Sequence, residues 1–129
     1  MKKLIIFLSV IIGACLCAKA ATMTYSNASA QNGKKPMAVL IYANWADNYK
    51  DAIKNFRASQ QKLGNSYNYV ELDLAKPDAK DYTDRYVINQ KVPNIMLLRN
   101  NGRFSYLITR DCLATTSCIV EKMNRFIKK

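Results

Sequence analysis

The run MAVLIY, residues 37–42, constrains this chain more than any other stretch. Six consecutive apolar residues, Val and Ile among them, read as a strand buried on both faces. Such a strand needs cover above and below, so the fold must be layered, with helices packed on each side of a sheet. The following residues agree. Tyr49, Ala52, Ile53, Phe56 and Leu63 recur at helical spacing, Asp47 or Asn48 can cap the start, and Gly64 provides the stop. YVELDL (69–74) alternates as a second strand. KPDAKDYTDRYV (76–87) reads as a short helix, with Pro77 in its first turn and Tyr82 and Tyr86 four residues apart. NIMLLR (94–99) and FSYLIT (104–109) are a third and a fourth strand, joined across the hairpin signal Asn101-Gly102. A last helix, about 117–127, places Ile119, Val120, Met123, Phe126 and Ile127 on one face. The order β-α-β-α-β-β-α predicts an α/β fold, a four-stranded mixed sheet flanked by helices. Helical crossovers predict that the first three strands run parallel, and the hairpin predicts an antiparallel fourth.

The N-terminus is a separate matter. MKK is a basic start, LIIFLSVIIGACLC an apolar stretch short for a membrane span, and AKA a small-x-small cleavage signal. Residues 1–20 are therefore read as a secretory signal peptide, with the cut after Ala20. A second reading stays open: IGAC (12–15) is similar to a lipoprotein box, which would make Cys15 a lipidation site. Residues 21–35, polar and small, are expected to be a flexible leader. Asn27 heads an Asn-x-Ser glycosylation pattern that is read as chance.

Composition removes whole classes of chemistry. There is no His, so His-based acid–base catalysis, His metal ligands and His-assisted nucleophiles are all excluded. Four glycines leave no phosphate-cradling loop. The formal charge is +11, and removing residues 1–20 takes three lysines and no acid, leaving +8. The basic residues are scattered with no run beyond two lysines, which fits a solvated surface better than a nucleic-acid interface. Cleavage also takes Cys15 and Cys17. Cys112 and Cys118 then read as one disulfide in an oxidising compartment, a structural staple worth about 2–3 kcal/mol on the chain-entropy model. No metal and no cofactor is expected. Glu71 and Asp73, two apart on one strand, lack an acid–base partner and read as strand-end polar residues. The remaining tyrosines, Tyr67, Tyr69, Tyr82, Tyr86 and Tyr106, read as core or half-buried surface.

Three segments together resemble the thioredoxin family: KPMAVLIYANWADNYK, YNYVELDLAKPD and VPNIMLLRNNGR. The likeness runs from about Lys35 to Phe126 and implies a thioredoxin-like domain over residues 36–129. It also implies that Val92-Pro93 is a cis peptide bond beside the strand-to-helix turn. The family's turn reads Trp-Cys-x-x-Cys-Lys, whereas this chain has Trp45-Ala46-Asp47-Asn48-Tyr49-Lys50. Ala46 stands for the nucleophile, Tyr49 for the resolving thiol, and Leu40 where the family often has a buried Asp. Disulfide exchange needs a thiolate, and neither Ala nor a phenol supplies one.

The expected function follows from what is kept. The protein reads as an exported, periplasmic or secreted, redox-inactive binding module, and as a monomer. The resemblance places its peptide-binding groove at Trp45, Ala46, Asp47, Asn48 and Tyr49, facing Val92, Pro93 and Asn94. The partner would be an extended peptide or exported protein, with no nucleic acid, and with a membrane only through lipidated Cys15. The alternative is a thiol–disulfide oxidoreductase, or an accessory to one, using Cys112 and Cys118. A third reading is a structural accessory protein anchored through Cys15.

Overall fold

A computed structural model describes residues 22–85 and 92–128. Residues 1–20, which read as a signal peptide, the lipidation candidate Cys15 and Tyr86 lie outside the described residues. Helix α1 (Tyr25–Ala30) precedes β1 (Met37–Tyr42), α2 (Tyr49–Leu63) and a 3-10 turn (Gly64–Ser66). Then come β2 (Asn68–Asp73), α3 (Ala79–Arg85), β3 (Asn94–Arg99), β4 (Phe104–Ile108), a 3-10 segment (Arg110–Ala114) and α4 (Thr116–Ile127). The sheet order is β2-β1-β3-β4.

β1 is buried on both faces, as its unbroken apolar run requires. Met37, Val39 and Ile41 share one buried cluster with Tyr25 and Ala28 of α1 and Ala79 and Tyr82 of α3. Ala38 and Leu40 share the opposite cluster with Ala52 and Phe56 of α2 and Ile119, Met123 and Phe126 of α4. The alternation along a strand sends successive side chains to opposite faces, so one strand supplies both cores.

Two expectations are corrected. β1 and β2 are parallel, but β3 runs antiparallel to β1, with Ile41 opposite Asn94. Asp73 ends β2 opposite Tyr42, so the connection leaves and re-enters the sheet at the same end. A strand that enters the sheet at the end where the previous one leaves must run the opposite way, so no crossover to a third parallel strand is made.

The second correction concerns the leader. Residues 22–35 are part of the fold. Thr22 bridges Tyr69 beside β2, and Met23 N–H donates to the Tyr69 carbonyl at 2.8 Å. Thr24 caps α1, its hydroxyl accepting from Asn27 N–H at 3.2 Å. The ring of Tyr25 meets Tyr82 edge-on at 5.5 Å. Buried Asn32 donates to the Leu98 carbonyl at 2.9 Å and accepts from Gly102 N–H at 2.9 Å, fastening this segment to the β3–β4 turn. That turn uses four residues, 100–103, rather than two. Asn100, Asn101 and Gly102 all have positive φ, which Asn and Gly adopt at low cost. Gly64, at φ 57°, ends α2 as its position in the sequence predicts.

Two buried tyrosines join α2, β2 and α4. Tyr67 hydroxyl donates to the Met123 carbonyl at 2.6 Å, and Tyr69 hydroxyl to the Gly64 carbonyl at 2.8 Å. Burial raises both phenols above their ordinary value, Tyr69 to about 12. The folded chain therefore keeps protons that the unfolded chain releases near 10. Stability is fully present below that value and is lost as pH rises through about 12, by about 2 kcal/mol for Tyr69. Urea midpoints measured from neutral pH to pH 11.5 are expected to be level up to about 9.5 and to fall above it. A level midpoint throughout is the contrary result.

Candidate functional site

The C-terminal end of β1 delivers the chain into the turn 43–48. Ala43 is buried, and its carbonyl accepts from Ala46 N–H at 3.0 Å, which closes a tight turn with Trp45 at its tip. Trp45 is 74% exposed. It does not pack down over the turn, and it is the chain's only Trp. Ala46 turns the other way and joins the buried cluster that also holds Val92. At the position where the resemblance puts a nucleophile there is thus a buried methyl group.

The start of α2 is not capped by a side chain, contrary to the expectation for Asp47 or Asn48. Asn48 is the N-terminal boundary residue in the left-handed region, at φ 63°, and its side chain makes no capping hydrogen bond. Its carbonyl accepts from Ala52 N–H at 3.1 Å, the first bond of the helix. Asp47 is exposed and Asp51 lies in the first turn, where negative charge suits the helix dipole. Tyr49 is half-buried and stacks on Tyr42, with ring centroids 6.1 Å apart and planes 9° from parallel. Burial raises the Tyr42 phenol above its ordinary value, helped by the negative charges of Asp73 and Glu71. Glu71 is taken by Arg57 through two hydrogen bonds of 2.9 and 2.7 Å, and Asp73 accepts from Ala75 N–H at 2.9 Å. Both acids are thereby structural.

Val92-Pro93 is cis, as the resemblance implies. Val92, Pro93 and Asn94 are all buried, so this segment offers a partner its backbone more than its side chains. Pro93 lines a cleft of about 170 Å³ together with Asn48, Asp51 and Ala52 of α2. The far wall is Arg110, Leu113 and Ala114 of the second 3-10 segment. Of the residues expected at the groove, the fold brings Asn48 and Pro93 into this cleft. Trp45 stands outside it. Arg110 was not anticipated: nothing in its sequence surroundings distinguishes it from the other scattered cations.

Cys112, on the 3-10 segment, is bonded to Cys118 in the first turn of α4. Thr115 caps that helix by accepting from Cys118 N–H at 3.3 Å. The disulfide pins the 3-10 segment to α4, and Leu113 between them is buried in the core. Reduction is expected to lower stability by about 2 kcal/mol without unfolding the domain, read as a shift in the urea midpoint between oxidised and reduced protein. No group of three or more His, Cys, Asp or Glu side chains suited to a metal occurs among the described residues. No helix among them is long and apolar enough to cross a membrane.

No family profile and no curated protein sequence matches this chain. Solved structures do. The germline-specific thioredoxin Deadhead from Drosophila melanogaster superposes with a TM-score of 0.61 at 19% identity, covering 81% of this chain and 97% of that one. A disulphide isomerase from Xylella fastidiosa gives 0.60 at 18% identity, covering 79% and 87%. The J-Trx1 fragment of ERdj5 gives 0.63 at 13% identity over 78% of this chain, which spans 47% of that fragment. At these identities the likeness establishes the fold: a thioredoxin-like domain.

Proposed function

We propose that this protein is an exported, non-catalytic binding module that holds an extended peptide or protein segment at the 43–48 turn and the cis-Pro93 segment. The observation that carries the reading is Trp45. A large indole at 74% exposure on the tip of a tight turn has no structural task there, and Trp is the residue type most often found as a binding anchor. Three further features support it. Ala46 and Tyr49 remove thiol chemistry from this turn. The backbone at Val92 and Pro93 lies at the start of a strand, where an extended chain can add main-chain hydrogen bonds. The basic, apolar and AKA segments of residues 1–20 fit export. No cofactor enters the reading, and the module acts as a monomer.

Trp45 is also the reporter. Titrating the purified protein with mixed extended peptides is expected to shift its emission to the blue as the indole leaves water. Emission that stays fixed while a peptide is bound would place the binding elsewhere.

A second reading rests on one observation: the segment bearing Cys112 forms the wall of the cleft opposite α2, with Pro93 alongside. Under that reading the Cys112/Cys118 pair exchanges with a partner's dithiol, one disulfide formed for each one broken. It requires that the protein, once its Cys112–Cys118 bond is opened by added dithiothreitol, catalyse reduction of insulin by that dithiol beyond the rate without protein, and that Cys112→Ser lose this activity. An inactive unaltered protein leaves the binding reading alone.

A further inference from the structure

The apolar surface left open by the fold is concentrated on one strand. β4 is the edge of the sheet, with β3 on one side and no described strand on the other. Its burial pattern is exposed at four of five residues. Phe104, Tyr106 and Leu107 are 45%, 43% and 36% exposed, and among the described residues Trp45 is the other large apolar side chain so open to water. Apart from the ladder to β3, no backbone hydrogen bond among the described residues engages 104–108. Edge strands ordinarily carry a proline, a bulge or an inward charge that discourages pairing. β4 has no proline or charged residue, and its register with β3 is uninterrupted from Phe104 to Ile108.

The charge around this edge is mostly positive, with Asp111 after Arg110 and Glu121 before Lys122 the flanking acids. Residues 94–110 include Arg99, Arg103 and Arg110 and no acid. The Arg99 guanidinium lies 4.7 Å from the centre of the Phe104 ring and 5.3 Å from that of Phe126. The Lys122 ammonium lies 6.0 Å from the Tyr106 ring. Among the described residues none of these four cations is in an ion pair, while nearby Glu121 is held by Arg125 at 3.0 Å.

We infer that β4 is a docking edge that takes up an extended acidic segment of a partner protein, with apolar residues alternating among its acids, as a fifth strand. Main-chain bonds would extend the sheet, apolar side chains on one face would cover Phe104 and Tyr106, and carboxylates on the other face would meet Arg103 beside Leu107. A second copy fits poorly. Antiparallel pairing of two β4 strands about Tyr106 sets Arg103 of each copy opposite Thr109 of the other, one residue from its Arg110, so like charges gather at both ends. The described N-terminal segment, from Thr22, meets the sheet at the opposite edge, pairing beside β2. This edge lies away from the turn at Trp45 and does not depend on the function proposed for it; Arg110 is shared with the cleft beside Pro93, so the test rests on Arg103 and Leu107.

The test uses the purified protein and two labelled octapeptides, one alternating Glu and Val, the other Lys and Val. The acidic peptide is expected to bind roughly tenfold or more tightly than the basic one, to weaken as salt is added, and to slow amide exchange within 104–108. Arg103→Glu and Leu107→Glu, both at solvent-facing positions, should each abolish that preference, while Trp45→Ala should leave it intact. If Leu107→Glu fails to fold, Arg103→Glu alone decides. Absent binding of the acidic peptide, equal binding of both, or protection confined to other strands overturns the proposal. So does a dimer in sedimentation whose 104–108 amides are protected without peptide, which would assign the edge to a second copy.

Discussion

Deletion of residues 22–30 is expected to unfold this domain. The deletion removes α1, and with it Tyr25 and Ala28 from the buried cluster on one face of the sheet. It also removes the bond from Met23 to Tyr69 at the β2 edge. Burying one aromatic side chain is worth about 2–3 kcal/mol, and uncovering the sheet beneath it adds a similar amount, giving roughly 4–6 kcal/mol. Domains of this size are stable by only about 5–15 kcal/mol, so the loss consumes most or all of the margin. Far-UV circular dichroism and a urea titration of the truncated chain, beside one beginning at Thr22, measure it. An unchanged urea midpoint would mean that 22–30 is a dispensable leader after all.

Trp45→Ala is expected to separate binding from folding more sharply than any other single change. The side chain is 74% exposed, so its removal should move the urea midpoint by less than about 0.5 kcal/mol. Peptide affinity should fall by about 2 kcal/mol or more, roughly thirtyfold, the scale of a central aromatic anchor. Anisotropy of a labelled peptide captured by the unaltered protein gives both affinities. Equal affinity would show that the indole is not part of the binding surface, whatever the cleft beside Pro93 does. Tyr49→Ala offers a contrast. Its ring stacks on Tyr42, so that change should cost stability as well as affinity.

Much of the candidate site was legible before the fold was. Trp45 at a strand-to-helix junction, the missing thiols at Ala46 and Tyr49, and Pro93 ahead of an apolar strand all stand in the one-dimensional string. What was not legible is how those residues face. Ala46 and Val92 turn into the same core, Asn48 takes a left-handed backbone in place of a cap, and Arg110 reaches the cleft from a segment 17 residues beyond Pro93. Pro93 and Arg110 flank the open end of the β3–β4 hairpin, and the register that sets Ile95 opposite Ile108 brings them together; that register depends on a four-residue turn where two residues were expected.

The same division runs through the whole molecule. Local chemistry by itself determined the double-sided burial of β1, the stop of α2 at Gly64, the asparagine-glycine turn after β3 and the pairing of Cys112 with Cys118. Each depends on side-chain periodicity, backbone freedom or the proximity of two thiols in the chain, all of which operate over a few residues. The direction of β3, the ordering of residues 22–35 and the exposure of β4 were decided only by tertiary structure. β3 enters from the end where β2 stops, so it runs back antiparallel to β1. α3 covers only part of one face of that sheet, so a polar stretch with little helical tendency is ordered as α1 over the remainder. β4 stays open because, in the described chain, no further element lies beyond it.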